Sequence, residues 1–318
     1  MLFDRVYRLL IGKSGEQTGV EITQLRVSFD IKKSTKKNPN KCKVTVWNLT
    51  QATRERFEQP NTRIVLYAGY KEDAGPLLIF QGGVTHAYLS IEGPDYQTIL
   101  ELGDGSQEIR DSVISVGYDR GVESKTILSD LSAKMELPLV LPSDAPERIW
   151  ENGLSYYGAS RGLLDKVTSA TDLEWSIQNG NIQVIEKGGV TTRQGIVIAT
   201  DSGMIKSPER VREAKAEKTS TDKTKIIPGK EAFNGWKVET LLMPMLNPGD
   251  RVILESKVVE GVFRIQELRH VGDTHEGDWK TELRLVDPNK PLNTPAKAGK
   301  GKKAKSKTTT SPPLEIMA

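Results

Sequence analysis

The densest group of side chains able to carry chemistry lies in the stretch HVGDTHEGDW, residues 270–279. Its candidate metal ligands are His270, Asp273, His275, Glu276 and Asp278. Histidine with acidic neighbours can hold zinc or another divalent ion when the side chains converge on one point. The same stretch lies between two alternating segments, and its Gly and Asp residues are typical of a solvated hairpin loop. We therefore favour a plain loop over a metal site.

The rest of the sequence offers no arrangement for nucleophilic catalysis. It lacks a G-x-S-x-G motif, the single cysteine Cys42 lies in an alternating segment, and so does His86. The segment GDGS, residues 103–106, lacks the spacing of a phosphate-binding loop. A carboxylate pair for glycoside cleavage stays open, because sequence spacing does not report distance in space. We predict a protein that is not an enzyme, with no catalytic residue, cofactor or metal ion.

Positive charge is concentrated around one expected hairpin tip, in SFDIKKSTKKNPNKCKVTVWNLT, residues 28–50. The lysines near this tip are Lys32, Lys33, Lys36, Lys37, Lys41 and Lys43. Nucleic-acid binding would pair such lysines with aromatic stacking partners, and only Trp47 is close. Charge runs are often interaction segments, so we interpret this tip as a solvated face or as a loop that docks on another subunit. Its candidate contacts are Lys32, Lys33, Lys36, Lys37 and Lys41.

Composition places the chain among ordinary globular proteins. Its 318 residues, 36 % of them hydrophobic, suffice for two or three domains with separate cores. The formal charge of +3 is too small for a general polyanion binder. A single cysteine fits folding in a reducing cytosol. The N-terminal segment is interrupted by charges, and no apolar run approaches the roughly 20 residues that span a bilayer, so we expect neither a signal peptide nor membrane insertion.

Hydrophobic periodicity divides the chain into five parts. Residues 1–105 alternate with period two and predict a first β-barrel domain. Residues 106–190 predict a small α/β insert with two helices and a hairpin. Residues 191–235 are polar and are expected to form a long mobile connection, whereas 236–290 alternate again and complete a second β-barrel domain. Residues 291–318 are Lys-rich and predict a disordered tail.

Local signals refine these parts. Thr50 and Ser160 are candidate N-caps of short helical segments. A further helical stripe runs from Ile127 to Met135 and is stopped by a proline. The dipeptide Asn179-Gly180 between two alternating segments predicts a two-residue hairpin. A loss of phase near Gln266 predicts a β-bulge.

The order of these elements resembles the central baseplate hub proteins of contractile-tailed phages and related injection machines. The resemblance covers roughly residues 1–288 and is carried by VTVWNLT, LLDKVTSATDLEWSIQNGNIQVIEKGG, DSGMIKSPERV and the closing WKVETLLMPMLNPGDRVILESKVVEGVFRIQELRHVGDTHEGDWKTELRLVDP. Its most telling stretch is LLMPMLNPGD followed by V-x-L-x-S, GVFRIQELRHVGD, a loop and W-x-T-x-L. These motifs are short and structural, and the Lys-rich tail is not part of the family pattern.

The resemblance implies a mainly β fold with a small α/β insert, in which two tube-like antiparallel β-barrel domains flank helix-containing subdomains. It implies a homotrimer whose six barrels match a hexameric tail tube and whose lower face receives the central spike protein. Tail tube protein, spike protein and other baseplate proteins would be the partners, and DNA would pass through the channel. Such a subunit is made in the host cytoplasm and resides in the virion, in the tail baseplate.

Three alternatives stay open from the sequence. A tail-tip cell-wall hydrolase would need a cleft with perturbed carboxylates or a metal ion, for which the HVGDTHEGDW loop holds the local candidates. A distal-tail or host-recognition protein of a non-contractile tail would differ mainly in its partners. The Lys-rich tail could bind nucleic acid through salt-sensitive phosphate contacts.

Overall fold

Alternating apolar and polar residues build most of this chain into strands, as the computed structural model shows for residues 4–13, 19–57, 59, 61–218 and 224–288. Side chains within 214–218 and 224–232 are not described. The first β unit contains one short helix and seven strands: β1 Arg5–Lys13, β2 Gly19–Ile22, β3 Val27–Ser34, β4 Lys41–Trp47, α1 Gln51–Phe57, β5 Thr62–Tyr70, β6 Gly75–Glu92 and β7 Asp95–Gly103. In β3, buried residues alternate with half-buried or exposed ones, as a half-buried strand requires.

The insert that follows carries three helices among short strands: α2 Ser106–Asp111, β8 Val113–Tyr118, β9 Val122–Glu123, α3 Ser124–Met135, β10 Leu139–Val140, β11 Ile149–Trp150, β12 Leu154–Ala159, α4 Ser160–Ala170, β13 Leu173–Gln178 and β14 Asn181–Glu186. Both predicted helices are confirmed, and each buries its apolar stripe in the core of the insert. The predicted hairpin is confirmed as well, because Gln178 pairs with Asn181 across the Asn179-Gly180 turn.

The second β unit consists of β15 Ile196–Ile198, β16 Glu209–Lys218, β17 Thr224–Leu241, β18 Arg251–Glu255, β19 Glu260–Asp273 and β20 Trp279–Val286. The pairing of β19 with β20 shifts register between Ile265 and Glu267, which confirms the predicted bulge. The segment 191–235, expected to be a long mobile connection, instead contains β15, β16 and part of β17. The largely polar strand among them is β16, which lies at the edge of the sheet, where a strand needs little apolar surface.

One thirteen-stranded sheet joins the two β units, in the order β16-β17-β20-β19-β3-β4-β7-β6-β5-β1-β2, with β18 and β15 attached beside β19. The seam is the antiparallel pair β3–β19, in register from Ser34 opposite Glu267 to Ser28 opposite Asp273. At this seam the rings of Phe29 and Trp279 meet edge to face, with centroids 5.2 Å apart. The sequence predicted two β units but not their fusion into one sheet.

The buried apolar residues form three separate clusters, one for each unit. The cluster of the first β unit also takes in Leu242 and Trp279 from the second, which ties the two units together. The insert keeps a core of its own, around residues such as Trp175 and Leu128. This mainly β architecture with a helix-containing insert confirms the predicted fold class.

Two further local predictions have different outcomes. Thr50 caps α1, since the backbone N–H of Thr53 donates to its hydroxyl oxygen at 3.3 Å. Ser160 does not cap α4, because Ala159 occupies the N-cap position and the Ser160 hydroxyl pairs with that of Ser112 at 2.7 Å.

None of the helices in the described part of the chain combines the length and apolar character needed to cross a bilayer. The Lys-rich tail, 291–318, lies outside the described residues.

Candidate functional site

The three units meet at the tip of the β13–β14 hairpin. Asn179 and Gly180 both have positive φ, 51° and 75°, which is the conformation of a tight two-residue hairpin turn. The tip inserts between the end of β7, the β3–β4 loop and the segment before β18. We call this contact region the junction, defined by Lys33, Asn40, Asp104, Asn179 and Asn247.

Asp104 anchors the hairpin tip through its carboxylate. The backbone N–H groups of Asn179 and Gly180 donate to its two oxygens at 2.6 and 2.8 Å. The side chain is fully buried, and burial raises the pKa of Asp104 to about 6, against the opposing effect of the Gly180 hydrogen bond and the Lys33 charge. Asp104 follows β7, so it connects the first β unit directly to the insert.

Lys33 contributes to the junction from strand β3. Its side chain is 2 % exposed, and its ammonium donates to Oδ1 of Asn179 at 2.8 Å and to Oδ1 of Asn247 at 3.1 Å. Burial lowers the pKa of Lys33 to about 8, and the Asp104 carboxylate opposes that shift. One side chain of β3 therefore bonds both the insert and the second β unit.

Additional hydrogen bonds hold the β3–β4 loop against the insert. The Asn40 amide donates to the carbonyl oxygen of Ile177 at 2.7 Å and to Oε1 of Gln178 at 2.9 Å. The Gln178 amide in turn donates to the carbonyl oxygen of Ser34 at 2.8 Å. These bonds leave the loop docked on its own chain.

The second β unit presents a matching polar turn, NPGD, residues 247–250. Asp250 accepts the backbone N–H of Asn247 at 2.8 Å and the hydroxyl of Thr191 at 2.7 Å. The Arg193 guanidinium lies 3.2 Å from Oδ2 of Asp250, the oxygen that also accepts the N–H of Asn247, although burial still raises the pKa of Asp250. The turn thus holds Asn247 in a position where its Oδ1 accepts a hydrogen bond from the Lys33 ammonium.

The junction is built for alignment, since its contacts are polar while each unit has its own apolar core. Buried hydrogen-bonded groups contribute little net stability but impose a large cost on any misaligned arrangement. Asp104 is fully buried, and its two carboxylate oxygens accept the backbone N–H groups of Asn179 and Gly180. The arrangement can fix the relative orientation of three units, and it offers no exposed acid or nucleophile.

The five predicted docking lysines differ in burial and in their contacts. Lys36 and Lys37 form ion pairs with Glu267 and Asp165, both at 2.5 Å. Lys32 and Lys41 are exposed. Including Lys33 among the docking contacts was wrong. The Lys33 side chain is on the buried face of β3, and its ammonium donates hydrogen bonds within the junction.

The HVGDTHEGDW residues do not converge on one point. His270 is fully buried, its Nδ1 lies 2.9 Å from the Thr281 hydroxyl, and burial lowers its pKa well below the ordinary value. Asp273 accepts the backbone N–H of His275 at 2.9 Å and the Arg26 guanidinium at 2.9 Å, as in a hydrogen-bonded turn. Within the described ranges, no group of three His, Cys, Asp or Glu side chains could hold a metal ion.

Sequence reasoning missed Asp104, Asn40 and Asn247. Two of them carried a signal, since Asp104 stands between glycines in GDGS and Asn247 opens NPGD, both of which are turn patterns. A turn residue whose side chain is fully buried can be recognised only when its partner is known.

Comparison with known proteins supports the fold. No protein-family model matches the sequence, and no curated protein is similar to it. Among solved structures, the 43 kDa tail protein of prophage MuSo2 from Shewanella oneidensis aligns with a TM-score of 0.61, at 9 % identity over 91 % of this chain and 99 % of its own. A tail protein from Neisseria meningitidis gives 0.57, at 10 % identity over 88 % and 96 %.

A chain of the Francisella PdpA–VgrG complex aligns with a TM-score of 0.55, at 8 % identity over 93 % of this chain and 60 % of its own. The similarity to all three structures extends along nearly the whole described chain, across both β units and the insert. This protein therefore has the fold of phage tail proteins, as the resemblance to baseplate hub proteins implied.

Proposed function

We propose that this chain is a structural hub subunit of a phage tail baseplate, which forms a trimeric ring between the hexameric tail tube and the central spike. The observation that carries the proposal is the shared fold with phage tail proteins over 91 % of the chain. In such a ring each subunit contributes two β units, so three chains supply six β units to match six tube subunits. The ring lines the channel through which DNA passes.

The fused sheet supports this role. Because β3 and β19 pair directly, the two β units of one chain cannot rotate independently, and the ring presents a continuous wall. The polar junction then holds the insert at a fixed angle to that wall. A channel subunit needs this rigidity, since its function lies in surfaces and not in a reaction centre.

The alternative of a tail-tip hydrolase receives no support from the geometry. A glycoside hydrolase needs two carboxyl groups facing a substrate cleft, one of them with a raised pKa. Two carboxyl groups of the described residues have a raised pKa, Asp104 at about 6 and Asp250, and both are buried. We therefore assign the chain a structural role in the virion tail, following its synthesis in the host cytoplasm.

The test is the solution mass of the full-length chain, measured by light scattering with and without the spike protein. Three chains of 35.2 kDa give a mass of about 106 kDa. A trimer in either sample is the expected result. A monomer in both samples would overturn the threefold ring. Binding to a receptor-binding fibre in place of the spike would favour a distal-tail or host-recognition protein.

A further inference from the structure

A groove of about 540 Å³ lies between the β3–β4 loop and the β16–β17 pair. Residues of β19 and β20, among them Arg269 and Arg284, form its floor. We call it the basic groove. Apart from Lys33, which belongs to the junction, its lining contains six cationic and three acidic side chains. The cationic residues are Lys32, Lys36, Lys41, Lys237, Arg269 and Arg284.

Most of these cations are already neutralised within the chain. Lys36 pairs with Glu267 at 2.5 Å, and Arg284 pairs with Glu213 at 2.7 Å. Arg269 has an ion pair with Asp30 at 2.8 Å. Lys237 lies 3.7 Å from Glu239.

Lys32 and Lys41 differ from the other four. Neither has an acidic partner within ion-pair distance among the described residues, and both are exposed. They are direct cross-strand partners in the β3–β4 ladder, so two positive charges face each other on one surface. Like charges placed directly opposite on neighbouring strands destabilise a sheet. The next pair on the same face, Asp30 with Lys43, has opposite charges.

We propose that the basic groove binds an extended acidic segment of a partner protein, with its carboxylates above the Lys32–Lys41 pair. Residues two apart in an extended segment project to the same side about 7 Å apart, a spacing that the flexible ends of two facing lysines can meet. The segment would relieve the repulsion between the two ammonium groups. The proposal deepens the proposed hub function, on which it rests, by naming the chemistry of a neighbouring tail subunit.

Nucleic acid suits this surface less well. Duplex DNA carries one charge about every 1.7 Å along its axis, so its phosphates would also meet the carboxylates of Glu213, Glu267 and Glu282. A peptide can place its acidic residues only where Lys32 and Lys41 lie.

The experiment measures binding of a fluorescein-labelled octapeptide of alternating Glu and Val to the purified full-length chain, by fluorescence anisotropy at low salt. The double variant Lys32→Gln/Lys41→Gln removes the facing charges. Lys43→Gln is the matched control, because it removes an exposed lysine from the same face of β4. We expect the double variant to weaken binding about tenfold, as two lost charge contacts would, and the control to change it less than about twofold.

Several results would overturn the proposal. They are equal binding by the double variant and the wild type, absence of binding by the wild type, and equal binding of the peptide with Gln in place of Glu. A duplex oligonucleotide that binds more tightly than the peptide, and is lost in the same double variant, would assign the groove to nucleic acid. If the chain forms a trimer but does not bind the peptide, the proposed role of the basic groove is refuted and the hub function stands. If the chain binds the peptide as a monomer, the trimeric hub is refuted and the role of the groove stands.

Discussion

The Lys33 ammonium lies 2.8 Å from Oδ1 of Asn179, although 146 residues separate them in the chain. The same ammonium lies 3.1 Å from Oδ1 of Asn247 in the second β unit. A single buried cation therefore connects strand β3 to both other units. We therefore expect the relative orientation of the three units to depend on Lys33.

Replacing Lys33 by Met tests this dependence. The substitution removes a desolvated charge, but it leaves two amide oxygens without their donor and leaves the buried Asp104 without the attraction of the Lys33 charge. The stability lost by leaving buried polar groups without a partner exceeds the stability gained by no longer burying the Lys33 charge. We therefore expect the free energy of unfolding to fall by about 2–4 kcal/mol. Urea denaturation followed by tryptophan fluorescence measures it.

Lys32→Met is the control for that substitution. Lys32 is the preceding residue in the same strand, but its side chain is exposed on the opposite face. We expect a change within about 0.5 kcal/mol, as for most surface positions. Equal effects of the two substitutions would mean that the junction does not depend on Lys33.

The protonation of Asp104 makes stability depend on pH. Its folded-state pKa is raised to about 6, whereas the ordinary value is 3.8, so the folded state binds an extra proton between these two pH values. The contribution of Asp104 to stability is therefore largest below about pH 4 and falls as the pH rises through 6. For a shift of this size the change is up to about 3 kcal/mol.

The variant Asp104→Asn removes this titration and keeps the other titrating groups, of which Lys33 loses the opposing effect of the Asp104 charge on its pKa. We expect the difference in unfolding free energy, wild type minus variant, to decrease from pH 4 to pH 7. Carboxylates with lowered pKa values, such as Asp30 and Glu239, change stability in the opposite direction but cancel in the difference. A difference that is constant with pH would show that Asp104 titrates normally.

The cross-strand charges of β3 and β4 predict opposite effects for two neighbouring lysines. Lys41→Gln removes the repulsion with Lys32 and should raise the unfolding free energy by a few tenths of a kcal/mol, whereas Lys43→Gln removes the attraction with Asp30 and should lower it by a similar amount. Thermal unfolding at low salt measures both. High salt should reduce both effects by screening, and a change of the same sign in both variants would contradict the charge argument.

Gly272 permits the close packing of the seam between the β units. A Cβ atom there would lie 2.3 Å from the Phe29 ring and 2.7 Å from the Trp279 ring. We expect Gly272→Ala to destabilise the protein by about 1–3 kcal/mol through overpacking. Gly12→Ala is the control, because a Cβ on that β1 glycine meets no atom within 4 Å. Calorimetric melting temperatures compare the two, and an unchanged value for Gly272→Ala would show that the seam can relax.

Elements whose signal is local were predictable from the sequence. The stripe from Ile127 to Met135 and the Asn179-Gly180 turn follow from spacing and backbone conformation, and both are confirmed. Ser160 shows the limit of such signals, since a serine that can cap a helix can equally bond another hydroxyl, as it does with Ser112. The edge strand β16 was missed because charged residues dominate it and Val211 is its one large apolar residue.

The amino-acid sequence by itself determined the two β units, the insert with its helices and hairpin, and a cluster of lysines at one tip. Each depends on contacts between residues near in the chain. Tertiary structure alone decided which lysines are available, because Lys32 and Lys33 are neighbours with equal charge on opposite faces of one strand. The face of β3 that is buried depends on partners 146 and 214 residues away, which no local pattern contains.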